Sequence, residues 1–303
     1  MTSVPGADPG RPAASRTIRV ATRSSPQATA QASVVADALA AVGFATELVM
    51  VDTHGDRTQA AQVPLHTIGG QGVFTREIQV AVLDGRADVA VHSAKDLPTE
   101  PVPGLCIGAL PARRDPRDAL IGRALDALPV GATIATGSVR RRAQLAVVRP
   151  DLHFVELRGN IHTRLGRIPD GGSIVMAVAA LEVLGIADRV AEILDPIEFV
   201  PAVGQGAVAV ECRSEDLDVL AALDRIDDPV TRHAVTVERS WLGTLGSGCS
   251  APVGAHVADG VLSVFLAGAD RVHRRRVDLT GDLDHDVRLA AEVAGTARVD
   301  VGV

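Results

Sequence analysis

Aromatic residues are scarce in this sequence. They make up 2% of its 303 residues, and tyrosine is absent. Proteins that bind nucleic acid commonly combine a basic surface with aromatic stacking platforms, whereas this chain has a formal net charge of −7. We therefore expect no nucleic-acid partner, although the segments SVRRRAQL and VHRRRVDL keep a nucleic-acid-binding regulator as an alternative. The hydrophobic content of 47% predicts a folded chain with a large core of Val, Leu, Ile and Ala.

Cysteines are also few, and Cys106, Cys212 and Cys249 lie far apart. Such spacing is not a disulfide framework and is typical of a reducing compartment. Long apolar runs are absent, since Glu182 interrupts the longest candidate, SIVMAVAALEVLGIA. The N-terminal segment has no apolar run of the kind found in signal peptides. We expect residues 1–16 to be a disordered leader and the protein to be a cytoplasmic monomer.

Strand and helix patterns alternate from residue 17 to about residue 210, which predicts two successive α/β units. We expect a first doubly wound domain over 17–110 and 206–224 and a second over 111–205. The strand GAVAVECR follows the second unit and, by its pattern alone, could join either sheet. From residue 225 the pattern changes to a long amphipathic helix and a hairpin signal at Asp259-Gly260. Residues 225–303 are therefore predicted to form a small α+β domain with a three-stranded antiparallel sheet.

Several arginines follow predicted strands or begin predicted helices. An arginine at a helix start is repelled by the helix dipole, so this placement makes sense if an anion binds there. The guanidinium group suits carboxylates. The alternative is that these arginines pair with some of the 37 acidic residues. Because so many occupy equivalent positions in an acidic chain, we favour a cleft that binds a polyanion; the arginines are Arg23, Arg140, Arg141, Arg158 and Arg164.

The segment ADVAVHSAKDLPTE places Lys95 and Asp96 side by side after an apolar strand. Ligands commonly bind at the carboxyl ends of strands in α/β sheets, but a solvated ion pair on a loop is an equally good interpretation of these residues alone. Cys249 lies in GSGCSAPVG, a loop of small residues that leaves its thiol open. An incidental exposed thiol is the simpler interpretation of that loop by itself.

Two glycine-rich segments, GGQGVF and AVGQGAVAV, lack the pattern of a dinucleotide-binding loop. We interpret them as hinges or close backbone approaches. The nine histidines show no metal-ligand spacing, so we expect no metal site.

Taken together, the segments ATRSSP, GGQGVFTREI, DVAVHSAKDLP, DPRDAL, ATGSVRRRAQL, LRGNIHTRL, PAVGQGAVAVECR and SGCSAPVGA occur in one order over residues 17 to 256. In this the chain resembles the hydroxymethylbilane synthases, also called porphobilinogen deaminases. The resemblance implies two periplasmic-binding-protein-like domains with a cleft between them and a third, smaller domain. It implies a transferase that joins four porphobilinogen molecules head to tail, with loss of ammonia, on a covalent dipyrromethane cofactor. No metal or nucleotide is implied.

The resemblance also implies roles for individual residues. Cys249 would carry the cofactor through a thioether, and Asp96 would be the catalytic carboxylate that stabilises a cationic species. The residues implied to hold the cofactor are Ser93, Lys95, Thr136, Ser138, Arg140, Arg141 and Arg164. The residues implied to receive the incoming substrate are Arg23, Ser25 and Arg158.

The chain departs from the family pattern at Gln71, where many relatives have a lysine, and at Gly137, where serine is frequent. The main alternative function is a non-catalytic two-lobed protein that captures a small anion. Cys249 and Asp96 distinguish the two functions, because a simple anion binder needs neither a covalent tether nor a carboxylate facing its ligand.

Overall fold

The structure is a computed structural model that describes residues 16–53, 75–246 and 251–302. The strands of these residues, in chain order, are β1 (Ile18–Arg23), β2 (Thr46–Val51), β3 (Val89–Ser93), β4 (Leu105–Ala109), β5 (Asp118–Ile121), β6 (Thr133–Ala135), β7 (His153–Val155), β8 (Ser173–Ala177), β9 (Glu192–Ile193), β10 (Val208–Arg213), β11 (Val253–Ala258), β12 (Val261–Ala267) and β13 (Val272–Asp278). The helices are α1 (Pro26–Ala41), α2 (Arg76–Leu83), α3 (Val139–Val148), α4 (Ile161–Leu165), α5 (Val178–Val183), α6 (Leu217–Asp224), α7 (Pro229–Leu245) and α8 (Leu283–Val301).

The first sheet has five strands in the order β2-β1-β3-β10-β4. Strand β1 runs parallel to β2 and β3, whereas β10 runs antiparallel to β3 and β4. The strand GAVAVECR, whose sheet the sequence left open, thus returns to the first sheet after the second has been built. The chain consequently passes between the two sheets twice, once after β4 and once before β10.

The second sheet also has five strands, in the order β7-β6-β8-β5-β9. Strand β6 is parallel to β7 and β8, and β5 is antiparallel to β8 and β9. Its two faces carry separate hydrophobic clusters, one around Leu120, Ile134 and Leu145 and the other around Ile121 and Ile174. Burial on both faces is expected of a sheet with helices on either side.

The third sheet is antiparallel, in the order β11-β12-β13. Asp259 (φ 51°) and Gly260 (φ 72°) form the turn between β11 and β12, and both have the positive φ that the Asp-Gly hairpin signal predicts. Helices α7 and α8 share a core with this sheet that includes the fully buried Trp241. The predicted fold class, two doubly wound α/β units and an α+β unit, is confirmed, while the predicted domain boundaries stay a prediction.

Side chains at the N-termini of several helices fix where each helix begins. Ser25 accepts a hydrogen bond from the backbone N–H of Ala28 and precedes Pro26 at the first position of α1. Ser138 and Asn160 cap α3 and α4 in the same way. The starts of the helices that follow the β-strands are therefore well defined. The leader predicted over residues 1–16 lies outside the described residues except for Arg16, whose guanidinium binds Asp88 and Asp216.

Candidate functional site

Strand β3 ends in a short 3₁₀ turn, Ala94–Asp96, which carries Lys95 and Asp96. Ala94 is buried, and its N–H donates to the carbonyl of Ala207 over 3.0 Å. Gly204 (φ +68°) packs against this turn so closely that a Cβ there would lie 3.0 Å from Ala94 Cβ and 3.3 Å from the backbone N of Lys95. Glycine is required at this position by both conformation and space. The interpretation of AVGQGAVAV as a close backbone approach is confirmed.

Lys95 is joined to the second sheet through one glutamine. Its Nζ donates to Gln205 Oε1 over 3.3 Å, and Gln205 Nε2 donates to Asp118 Oδ1 over 2.8 Å. Asp118 lies at the start of β5 with 1% of its surface exposed. Its carboxylate accepts from Arg140 Nη2 and from Arg141 Nη2, each over 2.7 Å. A continuous polar path therefore runs from the end of β3 to the first turn of α3.

Burial and charge act on these groups in opposite directions. Burial lowers the pKa of Lys95 to about 8, and Asp96 beside it offsets part of that effect. Burial alone would raise the pKa of Asp118, but Arg140 and Arg141 outweigh it and hold that pKa well below its usual range. Asp118 is therefore ionised at neutral pH and shares its charge between two guanidinium groups.

Two further arginines follow β7: Arg158 lies in the loop before α4, and Arg164 lies within α4. Arg164 Nε donates to the carbonyl of Gly159 over 2.7 Å, and burial lowers the pKa of Arg164. The charges of Arg141, Asp96 and Arg158 are close enough to Arg164 to affect that pKa. Asp96, on the first sheet, thus faces a cation of the second. Arg158 forms an ion pair with Glu156 over 3.0 Å.

We define the cationic cluster as Lys95, Arg140, Arg141, Arg158 and Arg164. Three carboxylates lie among these groups, namely Asp96, Asp118 and Glu156. The alternative that arginines pair with acidic residues of the chain therefore holds in part, but the cluster keeps an excess of positive charge. Arg23 is half-buried at the carboxyl end of β1, the strand that pairs with β3.

The predicted hydroxyl groups lie at the ends of strands or at helix starts, each with a partner. Ser93 Oγ donates to Gln31 Oε1 over 3.0 Å, and Thr136 Oγ1 accepts from the backbone N of Ser138 over 3.2 Å. Ser138 and Ser25 are the caps of α3 and α1. These contacts hold the backbone in place, and they leave each hydroxyl oxygen able to make a second hydrogen bond.

Two residues of the path were missed by the sequence reasoning, Asp118 and Gln205. Asp118 is part of the segment DPRDAL, and Gln205 is part of PAVGQGAVAVECR; both segments were noticed as matches without a role for these side chains. A carboxylate that begins an apolar strand is the one signal that could have indicated Asp118, since buried acids are almost always paired.

Gly137, where the family frequently has serine, has its own local reason. A Cβ at this position would lie 2.9 Å from the carbonyl oxygen of Leu157 and 3.1 Å from Glu156 Oε1. A side chain here would require the segment after β7 to move. Cys249 and Gln71 lie outside the described residues, so the predictions about them stay predictions.

Comparison with known proteins gives one consistent result. Residues 18–221 match the family model described as "Porphobilinogen deaminase, dipyromethane cofactor binding domain". The chain belongs to the porphobilinogen deaminase family.

A porphobilinogen deaminase of Acidothermus cellulolyticus is 48% identical over 252 residues, which cover 80% of this chain and 76% of the relative. One of Mycobacterium marinum is 49% identical over 256 residues, which cover 83% of this chain and 80% of the relative. Among solved structures, the methionine-binding protein MetQ matches with a TM-score of 0.42 and 13% identity, covering 69% of this chain and 88% of MetQ.

As a porphobilinogen deaminase, the chain is a transferase of tetrapyrrole biosynthesis that joins four porphobilinogen molecules into linear hydroxymethylbilane with loss of ammonia. Its cofactor is a dipyrromethane. This result decides against the non-catalytic anion-binding protein. The donor set fits the cofactor, because each pyrrole unit carries two carboxylates and the cationic cluster offers guanidinium and ammonium groups in excess over its own acids. Within the described residues no helix has the length and hydrophobicity that a bilayer span requires.

Proposed function

We propose that the cationic cluster, together with Asp96, is the place where the pyrrole chain is held and extended. The observation that carries the proposal is the path Lys95–Gln205–Asp118, which joins the end of β3 to the arginines of α3. In this assignment the cofactor carboxylates and pyrrole N–H groups are held by Ser93, Lys95, Thr136, Ser138, Arg140, Arg141 and Arg164. The incoming porphobilinogen is received by Arg23, Ser25 and Arg158.

Asp118 gives the arginine pair a fixed geometry. A guanidinium group has five N–H donors. Arg140 and Arg141 each donate to Asp118. Arg140 also donates to the carbonyl of Val200, and Arg141 to the carbonyl of Val175. The remaining donors are held in a set direction before any ligand arrives. Binding a carboxylate then costs little ordering of side chains, which is the usual benefit of a preorganised site.

Asp96 acts through its negative charge. Loss of ammonia from porphobilinogen leaves a cationic carbon on the substrate, and a fixed carboxylate stabilises that cation where it develops. Asp96 is exposed, whereas Asp118 is buried and saturated by two guanidinium groups. Of these two carboxylates, Asp96 is therefore the one that a substrate can reach. It also stands close to the pyrrole N–H groups in this assignment, where it accepts hydrogen bonds and assists proton movement.

Cys249 is the proposed attachment site, through a thioether. When bound, the dipyrromethane supplies the pyrrole to which the first porphobilinogen is joined. The mass of the intact purified protein tests this assignment: we expect an increase equal to two porphobilinogen-derived pyrrole units, located on the Cys249 peptide. The Cys249→Ala variant should lack the increase, and Cys106→Ala, which changes a thiol of the first sheet, should keep it. A fully active protein of unmodified mass would overturn the assignment.

The remaining assignments concern the protein in the cell. It acts as a cytoplasmic monomer on a small-molecule substrate, without a nucleic-acid partner. The net charge of −7 and the scarcity of cysteine support this proposal. Light scattering during size-exclusion chromatography gives the molar mass directly, and a dimer would contradict the proposed monomer.

A further inference from the structure

Two cysteines that the function does not use face each other in the first sheet. Cys106 on β4 and Cys212 on β10 are direct partners in the antiparallel register. Their Sγ atoms lie 4.0 Å apart. A sulfur contact at this distance between opposed strands places both thiols in one small space between the sheet and α6.

The backbone geometry suits a disulfide. Opposed residues of antiparallel strands have Cα atoms about 4.5 or about 5.5 Å apart, and both values lie within the range of about 4.4 to 6.8 Å found across disulfides. The sulfurs must approach from 4.0 Å to a bond length of about 2.05 Å. The register of β10 against β4 shifts between Val210 and Glu211, close to the pair, so small local adjustments are accessible there.

The surroundings of the two thiols differ. Strand β4 is the edge strand of the sheet, and Cys106 is only partly buried, whereas Cys212 is fully buried. Burial raises the pKa of the Cys212 thiol to about 12. An oxidant therefore meets Cys106 first, and Cys212 stands directly behind it as the second thiol.

A glycine keeps this space open. A Cβ at Gly108 would lie 3.1 Å from Cys212 Sγ and would also clash with the Leu223 side chain of α6. Any larger residue on β4 at this position would push the Cys212 side chain away from its partner.

The position of the pair along the chain gives such a bond a consequence. The chain leaves the first sheet after β4 and returns to it as β10, so a bond between Cys106 and Cys212 closes a ring that contains the whole second sheet. The disulfide would then link the two strands, β4 and β10, from which the connections to the second sheet extend. A link that closes a long loop constrains the unfolded chain strongly.

We propose that Cys106 and Cys212 are a site of reversible oxidation, at which a peroxide converts the two thiols into a disulfide that ties β4 to β10. In the first step the Cys106 sulfur attacks the peroxide; with hydrogen peroxide this gives a sulfenic acid and one water. In the second step the Cys212 sulfur attacks the Cys106 sulfur, the S–S bond forms, and the sulfenic oxygen leaves as a second water. The thiols lose two electrons and two protons in all, and the peroxide is reduced. A dithiol reductant reverses the change.

The test uses the cofactor-bearing protein exposed to hydrogen peroxide while folded. Remaining thiols are then alkylated in denaturant, and the protein is digested without reduction and analysed by mass spectrometry. We expect a linked pair of peptides that contain Cys106 and Cys212, two hydrogens lighter than the sum of the separate peptides and separable by dithiothreitol. The oxidised protein should also unfold at a temperature several degrees higher than the reduced protein.

Two variants separate the steps. Cys212→Ser should accumulate sulfenic acid on Cys106, trapped by dimedone, without any linked pair. Cys106→Ser should leave Cys212 as a free thiol and show no rise in unfolding temperature after peroxide. Recovery of both cysteines as free thiols in the wild-type protein, or over-oxidation of Cys106 without a link to Cys212, would overturn the proposal.

Discussion

At the scale of single residues, Lys95 is unusual because it is the only lysine in the chain. The chain has 30 lysine and arginine residues, and every one except Lys95 is an arginine. Four of these arginines belong to the cationic cluster. An ammonium group is a compact point charge whose pKa moves when it is buried, whereas a guanidinium group stays charged. The position between Asp96 and Gln205 is therefore the one place in the chain where the smaller cation is used.

The single lysine makes its ionisation directly measurable. Protein labelled with 13C at lysine Cε should give one NMR signal, whose shift follows the protonation of Lys95. We expect the Cys249→Ala protein, confirmed by mass to lack the cofactor, to titrate with a midpoint near 8, because burial lowers the pKa of Lys95 from 10.5 to about 8. Lys95 is thus a cation below that pH and loses its charge above it.

The cofactor-bearing protein should titrate at a higher pH than the Cys249→Ala protein. Nearby carboxylates stabilise the ammonium form and raise its pKa. A midpoint near 10.5 in both proteins would show that Lys95 is not held in the buried environment described above.

Residue-scale prediction from the sequence succeeded where a short segment carries its own signal. Lys95 and Asp96 follow an apolar strand directly, and Arg140 and Arg141 begin a helix, so their positions at one edge could be inferred. The carboxylate that pairs with Arg140 and Arg141, Asp118, could not be inferred. Any of 37 acidic residues was available, and Gln205 contacts Asp118 from 87 positions further along the chain.

At the scale of elements, the turn that follows β3 depends on the loop that precedes β10. Gly204→Ala adds a methyl group where the backbone has φ +68° and where the nearest atom is 3.0 Å away. We expect the 94–96 turn to shift and the condensation rate to fall about 10- to 100-fold, since small misplacements of catalytic groups have effects of this size.

Gly85→Ala is the matched control for this substitution. Gly85 has φ +72°, but no atom lies within 4 Å of its added Cβ. Both variants should lose about 1–2 kcal/mol of stability from the left-handed conformation, measured by thermal unfolding. Equal activities in the two variants would show that the contact with Ala94 does not position the catalytic turn.

The elements themselves were predictable in proportion to their length and regularity. The 17-residue helix α7 and the Asp259-Gly260 hairpin appear where the sequence predicts them. Strands β5 and β9 were not identified, because β5 has four residues and begins with a buried aspartate, and β9 has two. Only pairing with neighbouring strands makes such short segments into strands.

At the scale of the whole molecule, one buried carboxylate connects the units. Glu238 on α7 accepts from Arg113 Nη1 over 2.6 Å, from the Gly204 N–H over 2.7 Å and from the Val257 N–H of the third sheet over 2.9 Å. Arg113 lies in the first connection between the sheets, and Gly204 lies in the second. Glu238 therefore fixes both connections against the C-terminal unit.

This arrangement predicts part of the acid sensitivity. Burial alone would raise the pKa of Glu238, but Arg113 and His256 together outweigh burial and lower the pKa from 4.5 to about 2. A carboxylate with a lowered pKa in the folded state stabilises that state above pH 4.5, and the contribution disappears as the pH falls toward 2. The difference in pKa corresponds to about 3 kcal/mol.

Glu238→Gln should lower the free energy of unfolding at pH 7 by about 3–5 kcal/mol, because Arg113 is left without its counter-charge. The difference in free energy of unfolding between this variant and the wild type, here called the gap, should become smaller as the pH falls from 4.5 to 2. Urea unfolding over that range measures the gap, with the exposed Glu215→Gln as the control. A gap that stays constant with pH would contradict the assigned ion pair.

The central claim is that Asp96 stabilises positive charge that develops during condensation. Asp96→Asn keeps the size of the side chain and removes its charge. In protein whose Cys249 adduct has been confirmed by mass, a single-turnover assay should show condensation slowed about 100- to 1000-fold, the usual cost of losing one preorganised electrostatic contact. Affinity for porphobilinogen should change little, because the cation exists mainly in the transition state. An unchanged condensation rate in correctly folded, cofactor-bearing Asp96→Asn protein would contradict the account.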